Sequence, residues 1–143
     1  MKPRSIQMFD KLFWISVILG FVYLAVTWSD LSAELEAEPE FAAIAFGAAI
    51  VGLVFGYGVS ILLWFLISKK ANNVARWIYI VLTALGVVIT GVTLFELSTN
   101  ELIISIAQTA LTVATIVFLV LPDAAAWFDR KGTDGQSDIS TFE

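Results

Sequence analysis

The sequence predicts an all-α, polytopic membrane protein: a bundle of four transmembrane helices followed by a short interfacial helix. Three observations carry this. Of 143 residues, 59% are hydrophobic and only 15% charged, against roughly 45–50% and about 25% in soluble domains. Four stretches lack Asp, Glu, Lys and Arg altogether: Leu12–Trp28, Phe41–Ile67, Trp77–Phe95 and Leu102–Leu121. Finally, all eight basic residues fall on one side of a path that crosses a bilayer four times.

Each stretch approaches or exceeds the ~20 apolar residues needed to cross a hydrocarbon layer about 30 Å thick. Within that layer the backbone must satisfy its own hydrogen bonds, so each stretch is expected to be helical. The spans are placed at about 12–28, 41–67, 77–97 and 102–121, in one transmembrane domain covering residues 1–131. The first is short, at about 26 Å for 17 residues; the second, about 40 Å for 27, must tilt, kink or project. Interface-preferring aromatics mark the ends: Phe13, Trp14, Trp28, Trp64, Trp77 and Tyr79. The apolar run in 1–33 is longer than a signal-peptide core and is bracketed by aromatics, so it is expected to be retained.

Between the spans, residues 29–40 are expected to form an acidic outer loop in which Glu38-Pro39-Glu40 begins the second helix. Proline suits the first helical position and acids suit the positive dipole end. Residues 68–76 make a basic inner loop, and Ser98–Glu101 a tight turn that makes the third and fourth helices antiparallel neighbours. Pro122 ends the fourth helix, and Asp123 can cap an interfacial helix at 124–130. There Trp127, Phe128, Arg130 and Lys131 are expected to anchor at the headgroups. Residues 132–143 are polar and rich in Gly, Ser and Asp, as a mobile tail would be.

Orientation follows from the basic residues. Lys2, Arg4, Lys11, Lys69, Lys70, Arg76, Arg130 and Lys131 share one side, at net +2, while the other carries seven acids and no base. Positive loops stay cytoplasmic, so both termini are expected there. The overall charge of −5 therefore reflects sorted loops and gives no reason to expect a nucleic-acid partner.

Reactive chemistry is sparse. The chain has no Cys and no His, which removes disulfides, thiolate and imidazole metal sites, and Cys or His nucleophile–base pairs. No Gly-rich phosphate loop precedes a helix, and no carboxylate pair lies at membrane depth, so neither an enzyme nor a bound cofactor is expected. Glu34, Glu36, Glu38 and Glu40 lack the pattern of a dedicated cation loop and read as a solvated segment.

Packing chemistry is abundant by comparison. Ala48, Gly52, Gly56 and Ser60 recur every fourth residue on the second helix and allow a second backbone to approach closely. Intra-chain packing is the default use of that row, and homodimerisation the alternative. Thr83, Gly86, Thr90 and Thr93 on the third helix match Ser105, Gln108, Thr112 and Thr115 on the fourth in their 3, 4, 3 spacing. That is the seam of a left-handed helix pair, with Thr83 expected opposite Thr115 and Thr90 opposite Gln108. Gln108, the most polar side chain in any span, is expected to bind Thr90 or a backbone carbonyl as interhelical glue, at about 0.6–2 kcal/mol.

The segment Lys69–Arg76 (KKANNVAR) before Trp77, and the ending Leu121–Arg130 (LPDAAAWFDR), carry a resemblance. Both resemble small bacterial four-helix inner-membrane proteins that close with Pro, a spacer, Trp-Phe and basic residues. The resemblance covers about 69–131, implies a bacterial cytoplasmic membrane, and transfers no catalytic residue. The functional expectation is a non-enzymatic protein acting through helix–helix contacts in the bilayer, as an accessory subunit or an immunity-type protein that binds a membrane partner. The alternative is a small homo-oligomeric channel or transporter lined by Thr and Gln.

Overall fold

In the computed structural model the chain forms a four-helix bundle with a fifth helix folded across one end. The structure describes residues 2–37, 39–93 and 99–137. The helices are α1 (Arg4–Ala37), α2 (Pro39–Ser68), α3 (Asn73–Thr93), α4 (Thr99–Val120) and α5 (Pro122–Ser137). The first four are each long and apolar enough to span a bilayer.

Their boundaries correct several expectations. No loop occupies 29–37, because α1 continues to Ala37 and α2 resumes at Pro39. Ser29–Ala37 is rich in Ala, Leu and Glu, which are strong helix formers, so leaving the hydrocarbon does not end the helix. At 34 residues, α1 is about 51 Å long and projects well beyond a hydrocarbon layer of about 30 Å. The loop expected at 68–76 shrinks to 69–72, since α3 begins at Asn73. There the Ala75 N–H donates to Asn72 Oδ1 at 3.0 Å, the usual N-cap arrangement. Ala71 takes a left-handed φ of 50° to turn the chain, and the Asn72 N–H closes on the Leu66 carbonyl at 3.1 Å. Lastly, α5 runs from Pro122 to Ser137, so residues 132–137, expected in the tail, are helical. The Ser98 side of the tight turn, Glu96, the side chains of Glu34, Glu36, Glu38 and Glu40, and residues 138–143 lie outside the described residues.

Successive helices are neighbours, and α4 returns to pack along α1 as its main partner. Antiparallel contacts tie α1 to α2 along their length: Lys2 to Ser68, Asp10 to Trp64, Phe21 stacked on Tyr57 with centroids 5.0 Å apart, and Trp28 against Phe46. The best-packed region lies at the end that carries the N-terminus, the 69–72 turn and α5. Phe9, Phe13, Ile67, Tyr79, Leu119 and Phe128 are among its buried members, with Phe9 edge-on to Tyr79 at 5.5 Å. Elsewhere large apolar side chains point outward, including Phe55, Ile89 and Val92. A bilayer solvates such side chains; water does not.

Trp127 and Phe128 belong to that buried cluster, at 8% and 2% exposure. They were expected as headgroup anchors, but α5 turns them into the bundle. The Asp123 carboxylate, expected to cap its own helix, accepts the Ser5 N–H at 3.3 Å and so docks α5 on the first turn of α1. Arg130 stays exposed, with Nε donating to the Ala126 carbonyl; the Lys131 side chain lies outside the described residues.

Candidate functional site: a polar chamber and an open glycine face

Away from the aromatic cluster the four helices splay around a chamber of about 630 Å³. Each helix contributes wall: Gly20, Tyr23 and Thr27 from α1, Leu53 and Tyr57 from α2, Thr83, Gly86 and Thr90 from α3, and Ser105, Gln108 and Thr112 from α4. Six of the eight expected seam residues thus face one space. They line it rather than interlock, because Gly86 leaves a gap: a Cβ there would meet nothing within 4 Å. The other two fall elsewhere. Thr115 is buried, its hydroxyl donating to the Thr112 carbonyl at 2.6 Å, and the Thr93 side chain lies outside the described residues.

Gln108 does not pair with Thr90. Its Nε2 donates to Ser16 Oγ on α1 at 2.5 Å, while its Oε1 is buried without a partner. An intramembrane contact of this kind contributes about 0.6–2 kcal/mol to joining α1 and α4. Ser16 is a residue that pattern reading passed over, since a lone serine in an apolar span has no periodic signal. Three of the lining threonine hydroxyls turn to their own helices. Thr27 donates to the Tyr23 carbonyl (3.0 Å), Thr83 to that of Tyr79 (2.6 Å) and Thr112 to that of Gln108 (2.9 Å). A hydroxyl has one proton and two lone pairs, so each of these still presents acceptor capacity. No Asp, Glu, Lys or Arg lines the chamber among the described residues, and Ser105 has no base beside it in the lining.

The small-residue row of α2 faces the other way. Ala48, Gly52 and Gly56 are exposed, and a Cβ at Gly52 or Gly56 would meet nothing within 4 Å outside its own helix. Ser60 donates to the Gly56 carbonyl at 2.8 Å, keeping its hydroxyl within the helix. Intra-chain packing through this row, the default expectation, is therefore not what the fold uses it for. The chain's own close α1–α2 approach is at Gly20, where a Cβ would collide with the Tyr57 hydroxyl.

At the terminal end a polar clasp holds α1 to α2. Lys2 Nζ lies 2.9 Å from Asp10 Oδ2 and 2.6 Å from Ser68 Oγ, and Trp64 Nε1 donates to Asp10 Oδ1 at 2.9 Å. The buried Arg76 guanidinium sits over Phe128 at 5.0 Å and near Trp77 at 5.5 Å, with Nη1 donating to Asn73 Oδ1. Among the described residues no group of three acids gathers as a metal site would require.

No protein-family model matches the chain, and neither a curated protein nor a solved structure does.

Proposed function

We propose that this integral membrane protein is non-enzymatic and acts through helix–helix contacts, as an accessory subunit or an immunity-type protein binding a partner within a bacterial cytoplasmic membrane, with both termini cytoplasmic. The observation that supports this is the open face of α2. A glycine row that no described residue of another helix approaches leaves backbone available to a helix from outside, and close backbone approach drives association where lipid removes the hydrophobic effect. The test places a photo-reactive side chain at Gly52, with Val88 on the exposed side of α3 as the control, in native membranes. The reading expects a discrete protein adduct from position 52 that is lost with Gly56→Ile. Lipid adducts alone from both positions would defeat it.

A second reading has one observation in its favour: Thr83, Thr90, Gln108 and Thr112 line a common space. In that reading the protein is a small homo-oligomeric channel or transporter whose path these Thr and Gln side chains line. Liposome flux by purified protein, reduced by Gln108→Leu, would support it; absence of flux would reject it.

A further inference from the structure

We propose that the chamber is a binding site for an uncharged, hydroxyl-bearing amphiphile whose hydroxyl protons are donated to the oxygens of Thr27, Thr83 and Thr112, with its apolar body against Leu24, Leu53 and Leu82. The site is separate from the α2 row, and the proposal stands whether or not that row binds a partner.

Four observations lead to it. The volume, about 630 Å³, falls within the range of about 300–1,000 Å³ typical of small-molecule sites. The lining carries no ionised side chain among the described residues, so a charged ligand would lose its hydration without a counter-charge. Each of the three threonines has committed its proton to its own helix and keeps acceptor capacity, while Tyr23, Tyr57, Ser105 and Thr109 add hydroxyls to the wall, so the complementary group is one that donates and accepts, a hydroxyl. The wall also holds a polar group in deficit: Gln108 Oε1 lies buried with no partner. The terminal torsion of glutamine is broad, so a modest rotation can turn this oxygen toward a donor in the chamber. A hydroxyl suits Gln108 in either amide orientation, because it both donates and accepts. Leu24, Leu53, Leu82, Val87 and Ile104 share the wall with its hydroxyl-bearing residues, which fits an amphiphile better than a purely polar or purely apolar guest.

The ligand can reach the chamber from the bilayer, as a neutral lipid, or from water, as a small polyol; the shared chemistry is a neutral molecule with hydroxyl donors. The experiment uses the full chain in nanodiscs and in detergent, with native mass spectrometry as readout. The probes are monodecanoylglycerol, methyl decanoate (no hydroxyl), decanoate (charged) and water-soluble 1,2-hexanediol. One-to-one binding of monodecanoylglycerol is expected, at least about tenfold tighter than methyl decanoate or decanoate. The double substitution Thr83→Val with Thr112→Val is expected to weaken it about tenfold while helical circular dichroism is unchanged, because valine keeps the shape and removes the hydroxyls, whose own bonds are local to their helices. Gly86→Phe, which fills the gap, is expected to abolish it; the valine pair decides the matter should the phenylalanine variant not fold. Binding by hexanediol as well assigns the aqueous source, and binding by the glyceride alone the bilayer. Equal binding of glyceride and methyl ester, indifference to the valine pair, or no binding of either hydroxyl probe would overturn the proposal.

Discussion

Asp10 offers the sharpest test of how the α1–α2 hairpin is held. Its carboxylate meets two donors, Lys2 Nζ and Trp64 Nε1, each at 2.9 Å. The two contacts differ in worth. Lys2 and Asp10 side chains are 29% and 23% exposed, and an ion pair open to solvent contributes about 0–1 kcal/mol. A neutral donor bonded to a charged acceptor contributes about 1.5–3 kcal/mol, and a buried donor left unpaired costs about 1–3 kcal/mol. Asp10→Leu should therefore destabilise the bundle by about 2–3 kcal/mol, Lys2→Met by under about 1 kcal/mol when measured in a Ser68→Ala background that removes the Lys2–Ser68 bond, and Asp10→Asn, which keeps an oxygen for the indole, by about 1 kcal/mol. The assay is SDS-driven unfolding of the full chain in micelles, followed by circular dichroism and by indole fluorescence. Added salt should shrink the Lys2→Met difference and leave most of the Asp10→Leu effect. If Lys2→Met costs as much as Asp10→Leu, the assignment of the clasp to the indole bond is wrong.

Three further outcomes are expected. Gly20→Ala should destabilise by about 1–3 kcal/mol through collision with the Tyr57 hydroxyl, and Tyr57→Phe should remove most of that penalty in a double-mutant cycle in the same unfolding assay. Asn72→Ala should cost about 1 kcal/mol by uncapping α3, whereas Asn73→Ala, one position on, should cost less; thermal melts of the two variants compare them directly. The Ser5 hydroxyl and backbone N–H beside Asp123 hold its carboxyl below the ordinary carboxylate range. With the folded value depressed, the stabilisation is present above the unfolded value of about 3.9 and is lost as pH falls through the folded one. Acid titration should weaken the contact between α5 and the first turn of α1, read as faster hydrogen exchange of the Ser5 amide, and Asp123→Asn should flatten that pH dependence.

Much of the architecture could be read from residue order. The four apolar stretches became helices because the hydrocarbon layer leaves the backbone no other partner, and Gln108, Thr112, Thr83 and Gly86 share a side because their spacing follows the helix repeat. What they share it with was not legible. The seam opens into a chamber since small and hydroxylated residues on α3 and α4 leave unfilled volume that α1 and α2 only border, a matter of side-chain size across four helices rather than periodicity on two. The end of α1 lies beyond the edge of the hydrocarbon, because Leu31–Ala37 continues on helix propensity where apolar content no longer marks the helix. Trp127 and Phe128 read as lipid anchors beside basic residues, but α5 folds back on the bundle, with Asp123 against Ser5, and the two rings join the buried cluster. Ser16 and Asp10, each a lone polar residue in or beside an apolar span, gained their roles only from the helix placed opposite.

The account rests on two faces of the bundle pointing in opposite ways: the glycine row of α2 outward, the hydroxyl seam of α3 and α4 inward. Because the chain has no cysteine, one introduced thiol gives one spin label, and accessibility to oxygen and to a polar nickel chelate in liposomes reads each site. Labels at Gly52→Cys and Gly56→Cys should be oxygen-accessible when the protein is alone in the bilayer, and a label at Thr112→Cys should be shielded from oxygen. Oxygen accessibility at position 112 matching that at position 52 would place the seam against lipid and contradict the account.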